Sequence, residues 1–315
     1  MKRKKIATMK KFFSLALSLA MAMSLAACGS QGASSSAASG SAAASASSST
    51  DYASMSLDEL KGEITTVTSG TLTVATSPDF APYEFYSVDD AGNAHLAGFE
   101  MSLAQYIADY LGLTLEVIPM DFDGTLAELQ NKTVDLGMAG YSPKPEREQI
   151  MDFSDIFYTG GQSFVTTKAN ADKFTSLEDT NNADYSIGAQ TGSIQVDLAQ
   201  ENSADAEIVQ LPKVTDIISD LLAGNLDGAY IETVVAESYA KNYPDLDIVL
   251  DVPYDQAGSV VGVSKGNAAL LAGVNLAIAA AKEDGSMDQF VVEANETASG
   301  NTYEGLLDDT ATPAA

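Results

Sequence analysis

The chain has 315 residues, of which 45% are hydrophobic and 19% are charged, enough for one large core or two modest ones. The 44 acidic residues against 16 basic ones give a formal charge of −28, which argues against a nucleic-acid partner, because binding phosphates requires Lys and Arg. With one Cys, one His and no Trp, the sequence permits no intramolecular disulfide and disfavours His- or Cys-based catalysis and metal binding. The one histidine, His95, follows a turn-like stretch, and we expect it in an exposed loop.

The N-terminus has the features of a secretory signal. Basic residues within the first eleven positions precede an apolar run, Phe12 to Ala27, that is too short to span a bilayer comfortably. The run ends in Leu25-Ala26-Ala27-Cys28, which resembles the bacterial lipoprotein box. We therefore predict a signal peptide over residues 1–27 and lipidation of Cys28, the alternative being an ordinary signal peptide with a chance cysteine. Two or more acyl chains would anchor the protein stably to a membrane.

Two segments are predicted to lack a fold of their own. Residues 29–50 are almost entirely Ser, Ala and Gly, a composition that cannot bury a core, so we interpret residues 28–55 as a flexible tether behind the lipid anchor. Residues 298–315 are rich in Thr, Ala and Asp and are predicted to be a disordered tail.

Between these segments, strand and helix patterns alternate. Alternating and β-branched runs predict strands over 71–76, 113–120, 134–139, 185–189, 208–211 and 227–231. Apolar residues at helical spacing predict helices over 99–111, 126–132, 194–200 and 214–223, the first ending at Gly112. This order predicts an α/β protein with mostly parallel sheets flanked by helices.

A weak internal repeat suggests two related lobes. Leu126, Leu129 and Asp135 have the spacing of Ile218, Leu221 and Asp227, and each aspartate opens an apolar strand. We therefore expect two α/β lobes with a cleft between them. Ligands of open α/β sheets bind beyond the carboxyl ends of the strands.

Arg147 is the most informative single residue. It is the only arginine after the predicted signal peptide, and its planar fork suits a carboxylate better than a lysine ammonium does. We interpret it as a candidate carboxylate clamp. The residues alone leave open that it is a surface arginine paired with Glu146 or Glu148.

Several ordered motifs resemble a known family. Gly98-Phe99-Glu100-Met101-Ser102-Leu103-Ala104, Asp152-Phe153-Ser154-Asp155 and Pro82-Tyr83-Glu84-Phe85 are similar to segments of the family 3 bacterial solute-binding proteins, the polar amino-acid receptors of ABC importers. The resemblance runs from about Thr71 to Ala294. It implies the two-lobed type II periplasmic-binding-protein fold, with lobe I formed by residues 65–160 and 259–297 and lobe II by residues 161–258.

The resemblance also implies a ligand site. Arg147 would clamp the ligand α-carboxylate, with help from the Ser142 hydroxyl. Backbone N–H groups near the start of a predicted helix would also favour the anion, and these lie at Gly192, Ser193 and Ile194. The backbone of Gly140 and the carboxylate of Glu232 would receive the α-ammonium, and the rings of Phe80 and Phe122 would sandwich the ligand side chain.

The sequence departs from the family pattern at three positions. Ser102 stands where the family usually has an acidic residue, and Glu232 replaces the usual Asp at the ammonium contact. Ser77 stands where receptors for cationic ligands and glutamine often place an Asp that contacts the ligand side chain. Asp79 could substitute for that Asp. The absence of an Asp at position 77 slightly favours a polar neutral ligand over a cationic one.

The alternative hypothesis is that the protein is a phosphatase. Asp121-Phe122-Asp123-Gly124-Thr125 follows a predicted strand and matches the nucleophile motif of haloacid-dehalogenase-type enzymes, in which two aspartates act beside Mg²⁺. The later Lys and paired-Asp motifs of those enzymes are missing in the required order. A sensor lobe or a binding protein turned dehydratase also stays open, since fold does not fix function.

The sequence therefore predicts a non-enzymatic, extracytoplasmic receptor for a free L-amino acid, anchored by lipid to the outer face of the bacterial cytoplasmic membrane. It would work as a monomer without a cofactor or metal and deliver its ligand to a separate ABC permease and ATPase. The crossings between lobes, near Tyr158–Gly161 and Asp255–Gly258, are the predicted hinges.

Overall fold

The computed structural model describes residues 50–89, 91–255 and 258–299. The predicted signal peptide, Cys28, most of the predicted tether and residues 300–315 of the predicted tail lie outside these residues. Within the described ranges, no helix has the length and apolar character needed to cross a membrane.

The elements alternate along the chain as the sequence predicted. The helices are α1 Leu57–Glu63, α2 Phe99–Leu111, α3 Phe122–Asn131, α4 Ile194–Asn202, α5 Val214–Ala223, α6 Thr233–Asn242, α7 Ala268–Glu283 and α8 Ser286–Ala298. The strands are β1 Thr71–Thr76, β2 Asp79–Phe80, β3 Glu84–Val88, β4 Ala94–Ala97, β5 Thr114–Pro119, β6 Leu136–Gly137, β7 Met151–Phe153, β8 Gln162–Thr167, β9 Ser186–Gln190, β10 Glu207–Leu211, β11 Gly228–Glu232, β12 Leu246–Val252 and β13 Gly262–Ser264.

Two five-stranded sheets share one topology. Their strand orders are β5-β1-β6-β13-β7 and β10-β9-β11-β8-β12. In each sheet the first three strands are parallel and the fourth is antiparallel to both of its neighbours, so four of the five strands run in one direction. The first sheet, with α1–α3, α7, α8 and a three-stranded sheet of order β2-β3-β4 that packs on α2, forms the first lobe. The second sheet, with α4–α6, forms the second lobe. The two-lobed α/β fold is confirmed.

The two aspartates of the internal repeat occupy equivalent places in the two sheets. Asp135 accepts hydrogen bonds from the backbone N–H (2.9 Å) and hydroxyl (2.7 Å) of Thr73 in β1. Asp227 accepts one from the backbone N–H of Ser186 in β9 at 3.1 Å. Each carboxylate thus ties the start of one central strand to the start of its neighbour, and the repeat has a structural basis.

Two element predictions need correction. Helix α3 begins at Phe122, four residues before the predicted start, because Asp121 already has the extended conformation of an N-cap residue. The predicted strand 134–139 shrinks to β6, because the chain leaves the sheet after Gly137 and turns at Gly140, whose φ is +61°. That turn directs residues 139–142 toward the cleft.

The ends of the described fold differ from the predicted boundaries. Tyr52–Ser54, inside the predicted tether, form a short 3-10 helix that packs against α7. Ala298, the first residue of the predicted tail, is the last residue of α8 and is buried. His95 is exposed as expected but lies on strand β4, beside Asp89.

A residue of the first predicted crossing pairs with the residue that follows the second one, of which residues 256 and 257 lie outside the described ranges. Tyr158 and Ser259 form an isolated antiparallel bridge, with the Ser259 N–H donating to the Tyr158 carbonyl at 2.7 Å. The rings of Phe99 and Tyr83 pack against Tyr158, with ring centroids 5.0 and 5.5 Å away. The described residues Tyr158 and Ser259, at the two crossings, are therefore joined to each other.

Candidate ligand-binding site

A narrow cavity of about 30 Å³ lies between the two lobes. Its walls include residues that follow or end strands β6, β9 and β11, which is the edge where α/β sheets bind ligands. Its lining comprises Phe80, Tyr83, Phe122, Ala139, Gly140, Ser142, Arg147, Gly160, Gln162, Gln190, Ser193, Ile194, Gln195, Glu232, Tyr254, Gly258 and Ser259. Eight of the ten sequence-predicted site residues are in this lining, and Ser77 and Gly192 are the two that are not.

Arg147 is buried at the edge of this cavity. It lies in a 3-10 helix, Pro145–Gln149, and is only 6% exposed. Its Nη1 donates to the carbonyl of Ser142 and its Nη2 to the carbonyl of Gly192 in the other lobe, both at 3.2 Å. The guanidinium carbon lies 5.4 Å from the centre of the Phe122 ring.

In the described part of the chain, no carboxylate lies within 4 Å of the guanidinium, so the surface pairing with Glu146 or Glu148 is not observed. Burial lowers the pKa of Arg147, because it disfavours the charged form. Uncompensated buried charge is costly. Among the described residues, this buried cation therefore has no anionic partner.

The first-lobe wall includes Gly140 and Ser142. At Gly140 the positive φ and the packing both require glycine, since an added Cβ would lie 2.6 Å from the Phe80 ring. The Gly140 N–H is within hydrogen-bond distance of both carboxylate oxygens of Glu100, at 3.2 and 3.3 Å. Since the N–H is used inside the lobe, the carbonyl is the backbone group that Gly140 can offer a ligand.

A pair of buried carboxylates lies behind this wall. Glu100 and Glu84 are both fully buried, and no cation pairs with either of them in the described ranges. Desolvation raises the pKa of Glu100 to about 7, and desolvation together with the charge of Glu100 raises the pKa of Glu84 well above its usual value. The pair is therefore expected to hold a proton at neutral pH.

Aromatic rings shape the cavity. Phe80 and Phe122, the two predicted aromatic contacts, are 8% and 6% exposed and both line it. Tyr83 adds a third ring, with its centroid 5.2 Å from that of Phe80. Its hydroxyl accepts from Ser259 Oγ at 3.2 Å and donates to Glu232 Oε1 at 3.3 Å.

The start of helix α4 forms part of the opposite wall. Ser193 is its N-cap residue and Ile194 its first helical residue, and both line the cavity. The Ser193 N–H, however, donates to the Gln190 carbonyl, and the Gly192 carbonyl receives Arg147. The Ser193 N–H is therefore used within its own loop, which corrects the prediction for that residue, whereas an anion contact from the Gly192 N–H stays a prediction.

Glu232 supplies the one carboxylate of the lining. It ends β11 and caps its own following helix, α6, by accepting from the Val235 N–H at 3.0 Å. Its additional methylene relative to Asp is accommodated beside Gly160, where an added Cβ would lie 2.0 Å from Oε1. Desolvation raises the pKa of Glu232 to about 7.

Ser77 and Asp79 are placed differently from the prediction. Both line a neighbouring cavity of about 310 Å³, together with Asp121 and Lys213. Ser77 Oγ donates to Asp79 Oδ1 at 2.6 Å, and Asp79 Oδ2 accepts from second-lobe groups. Ser77 therefore does not line the Arg147 cavity, and the carboxylate of Asp79 is already occupied by protein donors.

The sequence analysis missed part of the lining. The missed polar side chains are Tyr83, Gln162, Gln190, Gln195, Tyr254 and Ser259. Gln190 lies two residues before the predicted Gly192–Ile194 segment, and Gln162 directly follows a predicted hinge, so proximity to these motifs was the available signal. Tyr254 and Ser259 flank the second crossing.

The structure does not support the phosphatase hypothesis. Asp121 and Asp123 are exposed at the start of α3, and Asp123 accepts a hydrogen bond from the Gly124 N–H next to it. No group of three or more His, Cys, Asp or Glu side chains in the described residues is arranged to hold a metal ion. The motif instead starts a helix and places Phe122 in the cavity wall.

Comparison with known proteins finds relatives over most of the described chain. Residues 72–293 match the bacterial extracellular solute-binding proteins, family 3. The chain is 32% identical to the arginine-binding extracellular protein ArtP of Bacillus subtilis, over 62% of this chain and 74% of that protein. It is 26% identical to a cyclohexadienyl dehydratase of Pseudomonas aeruginosa, over 56% of this chain and 65% of the enzyme.

A solved structure shows the same fold. The amino acid ABC transporter substrate-binding protein AbpA of Streptococcus pneumoniae, bound to L-arginine, superposes with a TM-score of 0.70 at 34% identity. The match covers 73% of this chain and 96% of that one. Together with the family match over more than two thirds of its length, this establishes that the chain belongs to the family 3 bacterial extracellular solute-binding proteins.

Proposed function

We propose that this protein binds a free L-amino acid in the cavity between its lobes. The observation that carries the proposal is the buried guanidinium of Arg147, which lines the cavity with no carboxylate within 4 Å of it in the described residues. A ligand carboxylate would supply the missing anion through two parallel hydrogen bonds. The arginine-binding relative and the arginine-bound structural neighbour support this ligand class.

The remaining lining suits the other end of a zwitterion. Glu232 offers a carboxylate and Gly140 a carbonyl to an α-ammonium, while Phe80 and Phe122 offer ring faces to the side chain. The Ser142 hydroxyl and the backbone N–H groups of the first turn of α4 donate the remaining hydrogen bonds to the ligand carboxylate. Each of these roles is part of the proposal.

The side-chain class is the finer part of the proposal. Among the described lining residues, Arg147 and Glu232 alone are charged, and they balance the two charges of an amino-acid head group. A polar neutral side chain therefore needs no further counter-charge. The arginine-binding relatives favour a cationic side chain instead. Both classes fit a wall that contains Gln162, Gln190 and Gln195.

The wider role follows from the family. We propose a monomeric, extracytoplasmic receptor, anchored through Cys28, that closes about its two crossings and delivers its ligand to an ABC permease and ATPase. We propose binding without catalysis, although one relative is a dehydratase. Closure would be favoured because the closed state makes contacts that the open state lacks.

A thermal-shift screen of the twenty L-amino acids tests the proposal. A ligand that binds only the folded state raises the melting temperature. We expect a polar amino acid to raise it for the natural protein and not for Arg147→Ala. A screen in which no amino acid shifts the natural protein, or in which Arg147→Ala shifts equally, would contradict the proposal.

A further inference from the structure

Asp79 connects the two lobes through its side chain and its backbone. It lies in strand β2 of the first lobe and is 6% exposed. Its Oδ2 accepts from the Val214 N–H at 2.5 Å and from Gln190 Nε2 at 3.0 Å, both in the second lobe. Its backbone carbonyl accepts from the Tyr239 hydroxyl at 2.9 Å.

The contact with Val214 supplies a cap that helix α5 lacks within its own sequence. Val214 is the first residue of α5, and the N-cap position is occupied by Lys213, whose side chain makes no capping hydrogen bond. An N-cap side chain ordinarily provides an oxygen for one of the first N–H groups of a helix, and an acidic group there also interacts favourably with the helix dipole. Here that oxygen comes from the opposite lobe, so this cap exists only when the cleft is closed.

The contact with Gln190 fixes the direction of an amide in the cavity wall. Gln190 Nε2 donates both to Asp79 Oδ2 and to the carbonyl of Pro212, at 3.1 Å. Both partners are acceptors, so the nitrogen must face them, and its two hydrogens are then used. The atom that Gln190 can offer a ligand is therefore its acceptor oxygen, Oε1.

We propose that Asp79 is a positioning residue that couples closure to ligand selection: it caps α5 across the cleft and fixes Gln190 so that its side-chain oxygen faces hydrogen-bond donors of the ligand. The inference rests on the proposed amino-acid binding and extends it. It favours side chains that carry N–H donors and disfavours side chains that carry only acceptors. Asp79 does not touch the ligand itself.

L-Glutamine and L-glutamate form a matched pair of probes, because they have nearly the same shape and differ in side-chain donors. We expect calorimetry on the natural protein to show tighter binding of glutamine. In Asp79→Ala the Gln190 amide is free to turn, so the ratio of the two affinities should fall by about tenfold or more, the effect of one hydrogen bond to a charged group.

Three variants control this experiment. Asp79→Asn should retain the ratio, since its Oδ1 can take the place of Oδ2 and its Nδ2 can donate to Ser77 Oγ. Asp121→Ala, which removes an exposed aspartate from the same neighbouring cavity, should also retain it. Gln190→Met removes the amide but leaves Asp79 on α5, so it should lower the ratio even if Asp79→Ala fails to fold. An unchanged ratio in Asp79→Ala, or in Gln190→Met when Asp79→Ala does not fold, would overturn the proposal.

Hydrogen exchange at the Val214 amide separates this inference from the proposed function. In the presence of excess L-glutamine, protection of that amide should fall in Asp79→Ala and persist in Asp79→Asn and Gln190→Met. If no amino acid binds but this pattern appears, the cross-lobe cap stands and the proposed function fails. If amino acids bind and protection is unchanged in Asp79→Ala, the cross-lobe cap is wrong and the proposed function stands.

Discussion

Arg147 reaches from one lobe to the other: its Nη2 donates to the backbone carbonyl of Gly192 at 3.2 Å. A neutral carbonyl only partly compensates a buried guanidinium, and the Phe122 ring adds a modest cation–π interaction. The protein groups around Arg147 therefore shape the site and compensate its charge only in part.

Replacement of this side chain should separate binding from stability. We expect Arg147→Ala to weaken amino-acid binding by about 2–5 kcal/mol in calorimetry, as when one partner of a buried charged pair is removed. The melting temperature of the ligand-free variant should stay the same or rise, because an uncompensated buried charge has been lost. Arg147→Lys should also bind poorly, since an ammonium cannot replace the planar fork.

Lys144→Ala is the matched control for this prediction. Lys144 lies three residues away and pairs with Asp197 at the surface. Lys144→Ala should therefore weaken amino-acid binding by at most about 1 kcal/mol. Equal losses of affinity in Lys144→Ala and Arg147→Ala would indicate a general effect of positive charge and contradict the clamp.

Ligand affinity should depend on pH through Glu232. Its pKa is raised to about 7 by burial, and a bound ammonium would stabilise the ionised form and lower that pKa. Binding should therefore release protons near pH 6, and affinity should strengthen as the pH rises from about 5 to 7 and then level off. The neighbouring phenols, Tyr83 and Tyr158, have raised pKa values and stay neutral in this range.

Calorimetry in buffers of different ionisation enthalpy measures this proton release. Glu232→Gln should bind more weakly and show a smaller pH dependence between pH 5 and 7. A pH dependence that persists in full in Glu232→Gln would assign the proton to another group.

The buried carboxylate pair should make the ligand-free protein less stable as the pH rises. The pKa values of Glu84 and Glu100 are raised in the folded state. Their contribution to the free energy of unfolding is therefore complete below their unfolded-state pKa of about 4.5 and is lost as the pH rises to about 7 and above. Melting temperatures measured from pH 5 to 8 should therefore fall. Glu84→Gln should flatten this profile, while Glu116→Gln, at an exposed position, should leave it unchanged.

One substitution, Cys28→Ser, tests the lipid anchor. Cys28→Ser replaces the sulfur that would carry the acyl chains, so the variant should appear in the soluble fraction of the cells or the medium, whereas the natural protein should remain with the membrane. Membrane retention of Cys28→Ser, measured by immunoblot after fractionation, would refute the anchor. Ser30→Ala, in the adjacent segment, is the control.

Much of the fold followed from periodicity, because helices such as α2 and α5 carry their own patterns and, in α2, the terminating Gly112. The site was predictable where chemistry is concentrated in one residue, as at Arg147. The positions of Asp79 and Gln190 were not predictable, because they depend on contacts between residues more than a hundred positions apart. The start of α3 was missed because a helix N-cap and a catalytic aspartate have the same local sequence.

The fourth strand of the first sheet has a consequence for biosynthesis. Strand β13 pairs with β6 and β7, yet it leaves the ribosome only after every strand of the second sheet. At ordinary rates of translation, the first sheet therefore stays unfinished for on the order of ten seconds while the second can already form. The amino-terminal sheet can therefore be completed only after the whole second sheet has been synthesised.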